Sequence, residues 1–134
     1  MSRLANASPL RQRAPATKDP RFLRWLHDQQ IECIACLIES GGSHNTRLEA
    51  CHQHMDIPAK GWFSQRGKRV SDKNSVILCA WHHRLAPDAC DVNQRAFWDR
   101  LKIGDDVADL CSDLFAAYQH GQDGAAVIRR WARR

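Results

Sequence analysis

The chain lacks any apolar run of the ~20 residues needed to cross a bilayer, so nothing in it reads as a membrane span. Its start, Met1-Ser-Arg-Leu-Ala-Asn6, has no continuous apolar stretch of the kind that directs secretion. A cytoplasmic protein is therefore the expectation, with no membrane partner. No internal repeat is visible, which argues against solenoids and arrays. Acidic residues are the scarcer charge: 15 Asp and Glu against 20 Lys and Arg leave a net charge of +5. That balance fits an anionic partner such as nucleic acid, although many soluble proteins are equally basic.

The six cysteines could form three disulfides in an oxidising compartment. In a cytoplasmic chain, Cys-x-x-Cys with histidines nearby reads better as metal binding. Cys33-Ile-Ala-Cys36 and Cys79-Ala-Trp-His82 are two such pairs. Four ligands in two close pairs suit a tetrahedral structural Zn²⁺ site. With 134 residues the core is small and gains from such a staple. Cys51, Cys90 and Cys111 have no pair spacing and read as small buried hydrophobes.

The expected fold class is α+β, in three parts. Residues 1–18 form a flexible basic arm with few large apolar groups. Residues 19–103 form a zinc-stapled domain. Residues 104–134 form a helical extension. Asp19-Pro20 opens a helix ending near Gln30, with Phe22, Trp25 and Leu26 on its apolar stripe. Ile31–Leu37 suits a zinc knuckle, two cysteines in a tight turn. Arg47–Met55 suits a strand, and Ser75–Leu78 a second one. A helix starts at Ala80 and stops before Pro87. Further helices are expected over Asn93–Leu101, Asp105–Gln119 and Ala125–Arg134.

A second pattern runs through the zinc pairs: His52 in the first strand, Asn74 before the second, and His83 just past the last zinc ligand. Phosphodiester hydrolysis needs a base to activate water and a cation to neutralise charge. Histidine suits the base because it titrates near neutrality. A second histidine on the facing helix can hold the cation. An asparagine at the start of the second strand can tie back the long loop that precedes it. The loop over residues 56–73 carries Lys60, Arg66, Lys68, Arg69 and Lys73, with Trp62 and Phe63 among them. It suits a grip on a phosphate backbone, or a solvated loop whose aromatic rings fill the core. The arginines of 129–134 either add contacts to nucleic acid or keep a helix end soluble.

Several stretches together carry a resemblance: Asp19-Pro-Arg-Phe-Leu-Arg-Trp-Leu26, Ile34-Ala-Cys36, Glu49-Ala-Cys-His52, Val70-Ser-Asp72, Val76-Ile-Leu-Cys79 with His82-His83, and Arg95-Ala-Phe-Trp98. Asn74 stands five residues before Cys79. From Asp19 to about Ile103 the chain resembles the HNH endonucleases of the ββα-metal (His-Me finger) superfamily. It is most similar to small phage and prophage HNH-like proteins and to the phage recombination-enhancement, RecA-dependent nuclease family. The resemblance implies a ββα-metal core and DNA cleavage leaving a 5′-phosphate and a 3′-hydroxyl. It implies His52 as general base, Asn74 as a structural residue, and His83 as ligand of a catalytic Mg²⁺ or Mn²⁺. It implies Cys33, Cys36, Cys79 and His82 as the structural zinc set. The DNA is duplex, single-stranded or branched, and a recombination or phage protein is a possible partner.

Two positions depart from that pattern. Cys51 stands where Asp or His commonly ligates the cation, and Pro87 where related proteins often have a further histidine. His54 or Asp72 can supply a replacement ligand, His54 being better placed if the strand reaches it. The alternative is a catalytically inactive zinc-binding module of the same fold that binds DNA or protein.

Overall fold

The computed structural model describes residues 18–29, 31–39, 46–63 and 70–134. Residues 1–17 of the expected basic arm, and Arg66, Lys68 and Arg69 of the basic loop, lie outside the described residues. The fold is mixed α+β: two antiparallel strands and several helices around one core.

Helix α1, Pro20–Asp28, starts where its sequence says it should. The Asp19 carboxylate accepts the Phe22 N–H at 3.0 Å, and Pro20 sits at the first turn, where its missing N–H costs nothing. Phe22 and Leu26 are buried, one helical turn apart. The expected knuckle is instead the start of a short helix α2, Ile34–Glu39, so Cys36 sits in its first turn just after Cys33.

Strand β1, Leu48–His52, pairs with β2, Ser75–Cys79, with Leu48 opposite Cys79 and His52 opposite Ser75. One further hydrogen bond at each end extends the ladder: Ala80 N–H to Arg47 C=O, and Gln53 N–H to Asn74 C=O. β1 is shorter than its sequence suggested. It ends at His52, so His54 lies beyond it and alternation no longer aligns His54 with His52. β2 is buried throughout, as its apolar run requires.

After β2 the chain enters a widened helical turn, Trp81–Leu85, in which Ala86 N–H reaches back five residues to Trp81 C=O. Pro87 ends it. The next turn folds back, with Cys90 N–H bonding His82 C=O and Asp91 N–H bonding His83 C=O. Helix α3, Gln94–Arg100, follows, capped by the Asn93 side chain. A 3₁₀ turn, Gly104–Asp106, leads into α4, Val107–Gln119, and Asp123 caps α5, Gly124–Ala132.

The last two helices complete the core rather than standing outside it. Leu110, Leu114 and Ile128 are as fully buried as Phe22, Ile34, Ile77 and Trp98, and all belong to one cluster. Among the described residues, no helix is long and apolar enough to cross a membrane.

Candidate functional site

Cys33 and Cys36 at the start of α2, Cys79 at the end of β2 and His82 in the widened turn form one buried group. Their donor atoms lie within 4.8 Å of one another. The Cys36 and Cys79 sulfurs are 3.7 Å apart. His82 Nδ1 stands 3.6, 3.5 and 3.3 Å from the sulfurs of Cys33, Cys36 and Cys79. Zinc–ligand bonds of standard length on a tetrahedron give edges of about 3.8 Å between sulfurs and about 3.6 Å from sulfur to nitrogen. The group therefore has the donors and the spacing to hold a metal ion such as zinc.

The far nitrogen of His82 is also fixed. Nε2 donates to Glu39 at 3.2 Å, and Arg100 holds Glu39 through Nε at 2.9 Å. A carboxylate behind the histidine sets its tautomer and leaves Nδ1 as the donor toward a metal, a recurrent arrangement at zinc sites.

His83, the next residue, enters a second group with Cys51 and Asp91, again with donor atoms within 4.8 Å of one another. His83 Nε2 is 3.2 Å from Asp91 Oδ2, and Cys51 Sγ is 3.9 Å from Asp91 Oδ1. The local causes are clear. Strand alternation sets Glu49 and Cys51 on one face of β1, and the turn after Pro87 returns Asp91 to His83. Nδ1 of His83 bonds Glu49 at 2.8 Å, and Arg84 and Arg47 both bind Glu49. The Arg84 bond, against the effect of burial and with help from Arg47 and His83, holds the Glu49 carboxyl down at about 2. Cys51, with Glu49 and Asp91 adding to it against burial, holds His83 up at about 9. The surroundings of His83 thus favour positive charge.

Behind Cys51 lies a fully buried amide. Gln53 Nε2 donates to the Cys51 carbonyl at 3.1 Å and faces its sulfur at 3.4 Å. Gln53 Oε1 accepts from Trp98 Nε1 at 2.7 Å and faces Cys90 Sγ at 3.7 Å.

His52, on the opposite face of β1, bonds Asp72 through Nε2 at 2.9 Å. The other oxygen of Asp72 accepts the Asp19 N–H at 2.6 Å. Burial pushes the Asp72 carboxyl up, but these two bonds and nearby positive charge outweigh it and leave it below its ordinary value. Asp72 thus anchors the His52 ring to the start of α1. His52 is partly exposed, its side chain 31% accessible. Its polar partner differs from those of His83, so the two histidines share none.

Asn74 contributes its backbone: its N–H bonds Ser71 and its carbonyl bonds Gln53. His54 is exposed, its N–H donating to Gln94 Oε1 at 2.6 Å, and Gln94 Nε2 returns to the His52 carbonyl. His54, Asn93, Gln94 and Arg95 line an open cleft of about 810 Å³ that Asp91 borders. Lys60 is committed within the protein, bonding Asp109 at 2.6 Å and Asp106 at 3.3 Å. Lys73 is exposed, Phe63 is exposed, and Trp62 packs against the core.

Glu39, Glu49, Gln53 and Asp91 were not singled out from the sequence as site residues. Glu49 had a usable signal, since it lies two residues before Cys51 and so on the same strand face. Asp91 had none, because its approach depends on the turn after Pro87. Compared with models of protein families, with curated proteins and with solved structures, the chain matches none.

Proposed function

We propose that this chain is a metal-dependent DNA endonuclease of the HNH, ββα-metal type. One observation carries the reading: consecutive histidines after β2 serve different donor groups, His82 the cysteine cluster and His83 a second group with Cys51 and Asp91. Beside Cys51 in the chain stands a partly exposed histidine backed by a carboxylate, His52 with Asp72. Two strands, a short helical turn, a structural metal cluster and a base at the end of the first strand are the parts such an enzyme needs.

In this reading Cys33, Cys36, Cys79 and His82 hold a structural zinc ion that ties α2 to β2. His83 holds the catalytic cation, whose chemistry when bound is to neutralise charge on the phosphate and the departing oxygen. His52 gives its Nε2 proton to the bond with Asp72, which leaves the Nδ1 lone pair to accept a proton from water. That water attacks phosphorus, the bond from phosphorus to the 3′-oxygen breaks, and the departing 3′-oxygen takes a proton from solvent, so the products are a 5′-phosphate and a 3′-hydroxyl. Asp72 is a positioning residue: it fixes the ring and favours the tautomer with Nδ1 open. Asn74 holds the entrance of β2 against Gln53. Lys73, with Arg66, Lys68 and Arg69, supplies sequence-independent phosphate contacts. Lys60 is the weakest of the proposed contacts, because Asp106 and Asp109 neutralise it. Such an enzyme would work in the cytoplasm, alone or beside a recombination or phage protein.

A second reading, a zinc module that binds DNA or protein without cutting, is favoured by Cys51 and by His52 lying on the opposite face of β1 from the group around His83. A thiol stands where an oxygen or imidazole ligand for Mg²⁺ or Mn²⁺ is expected, and hard cations avoid sulfur.

Plasmid nicking separates the two. His52→Ala abolishes nicking in the nuclease reading. Asp72→Asn lowers it about tenfold or more and shifts its pH profile, as loss of ring orientation requires. Equal DNA retention with no nicking by the unmodified protein supports the module.

A further inference from the structure

The two metal-type groups are built to the same plan. In each, one of two consecutive histidines turns one ring nitrogen toward a cysteine-containing donor group and the other toward a glutamate. In each, arginine fixes that glutamate: Arg100 on Glu39, Arg84 and Arg47 on Glu49. A carboxylate behind a histidine orients the ring for a metal. Its recurrence at His83 is evidence for a ligand there that does not depend on how close the three donors lie.

The donor set of the second group decides which ion. Cys51 offers sulfur, His83 nitrogen and Asp91 oxygen. Mg²⁺ takes oxygen ligands in near-ideal octahedra and does not favour sulfur. Zinc-like ions accept all three donors, and three protein ligands with an open fourth position is the usual form of a reactive zinc site. Tetrahedral edges for such a set are about 3.5 Å from sulfur to oxygen and about 3.3 Å from nitrogen to oxygen. The sulfur lies 3.9 Å from Asp91 Oδ1 and His83 Nε2 lies 3.2 Å from Asp91 Oδ2, so presenting one oxygen to both needs a turn of the exposed Asp91 carboxylate. Gln53 is placed to steady the sulfur, its amide 3.4 Å away.

We propose that Cys51, His83 and Asp91, positioned by Glu49 and Gln53, form a second metal site selective for Zn²⁺ or Co²⁺ over Mg²⁺, distinct from the Cys33–Cys36–Cys79–His82 site. Catalytic use of the ion rests on the nuclease reading, whereas its binding rests on the donor geometry alone.

The test loads the full chain with one equivalent of Zn²⁺ and then titrates Co²⁺ while recording its absorption. The expected result is a further equivalent of Co²⁺ with a sulfur-to-cobalt charge-transfer band, not displaced by excess Mg²⁺. Cys51→Ser loses the band. Asp91→Asn, at an exposed position that leaves the fold intact, weakens Co²⁺ binding about tenfold or more, and Glu49→Gln does so without removing a ligand. No further Co²⁺, a band that survives Cys51→Ser, or displacement by Mg²⁺ overturns the proposal. Plasmid nicking assayed on the same samples keeps the two claims apart. Cobalt binding without nicking removes the nuclease and leaves the site, and Mg²⁺-driven nicking without cobalt binding does the reverse.

Discussion

Gln53 illustrates how one side chain can serve both stability and site. It is fully buried, and all of its polar atoms face partners: the Cys51 backbone and sulfur, Trp98 and Cys90. Replacing it with leucine keeps the volume but strands the Trp98 N–H in the core. An unpaired buried donor costs about 1–3 kcal/mol. Gln53→Leu should therefore lower the urea midpoint by a corresponding amount, and an unchanged midpoint would mean the network adds nothing. At this scale the sequence was readable where ligands come in pairs. Cys33 with Cys36 and Cys79 with His82 announce themselves by spacing. Glu39, Glu49 and Asp91 do not, because their roles arise only when residues tens of positions apart meet. Cys111 fits the expected small buried hydrophobe, and burial pushes its thiol well up. Cys51 is equally buried but also faces His83 and Asp91; its spacing gives no sign of that, and only the resemblance sets it at a cation-ligand position.

Among the elements, those whose ends carry local chemistry were legible. Asp19-Pro20 opens α1 and Asn93 caps α3, because capping is a contact between near neighbours in sequence. The length of β1 was not. Nothing within Gln53-His54-Met55 says that pairing stops at His52; the stop comes from Gln94, which bonds the backbone on both sides of Gln53. Helix α5 starts one residue before the expected Ala125 for a similar reason. Gly124 reads locally as a helix breaker, yet it is the first residue of α5 and lies against α1. A Cβ there would come within 2.8 Å of the Trp25 ring and 2.9 Å of Ile31. Trp25 has little room to yield, being packed against Phe22 and Tyr118. Gly124→Ala should thus destabilise the protein by about 1–3 kcal/mol through overpacking, despite alanine's better helix propensity. Thermal unfolding measures it, and a rise in midpoint would show that α1 and α5 separate easily.

Across the whole molecule, charge links the elements that follow the proposed active-site region back onto it. Lys60, from the loop after β1, and Arg134, two residues past α5, both bind Asp106, just before α4. Their bonds, Arg134 first, hold the Asp106 carboxyl below its ordinary value, with burial opposing slightly. A depressed carboxylate contributes stability that is present above its unfolded pKa and lost as pH falls through the folded one. The stability difference between the unmodified protein and Arg134→Ala should accordingly shrink as pH is lowered below about 4. A gap that stays constant would assign the effect of Arg134 to its stacking on Trp131 instead. This pairing also explains why counting lysines overstates the basic loop: composition reports Lys60 but not the two aspartates that neutralise it.

The central claim concerns what the assembled parts do to DNA. The most direct measurement is cleavage of end-labelled duplex, single-stranded and branched DNA by the metal-loaded chain, with His52→Ala beside it and product ends analysed. The account predicts cation-dependent cutting that leaves 5′-phosphates and disappears in a folded, zinc-retaining His52→Ala protein. Cutting that persists in that variant, or no cutting of any of the three substrates by the unmodified chain with every cation tested, would contradict it.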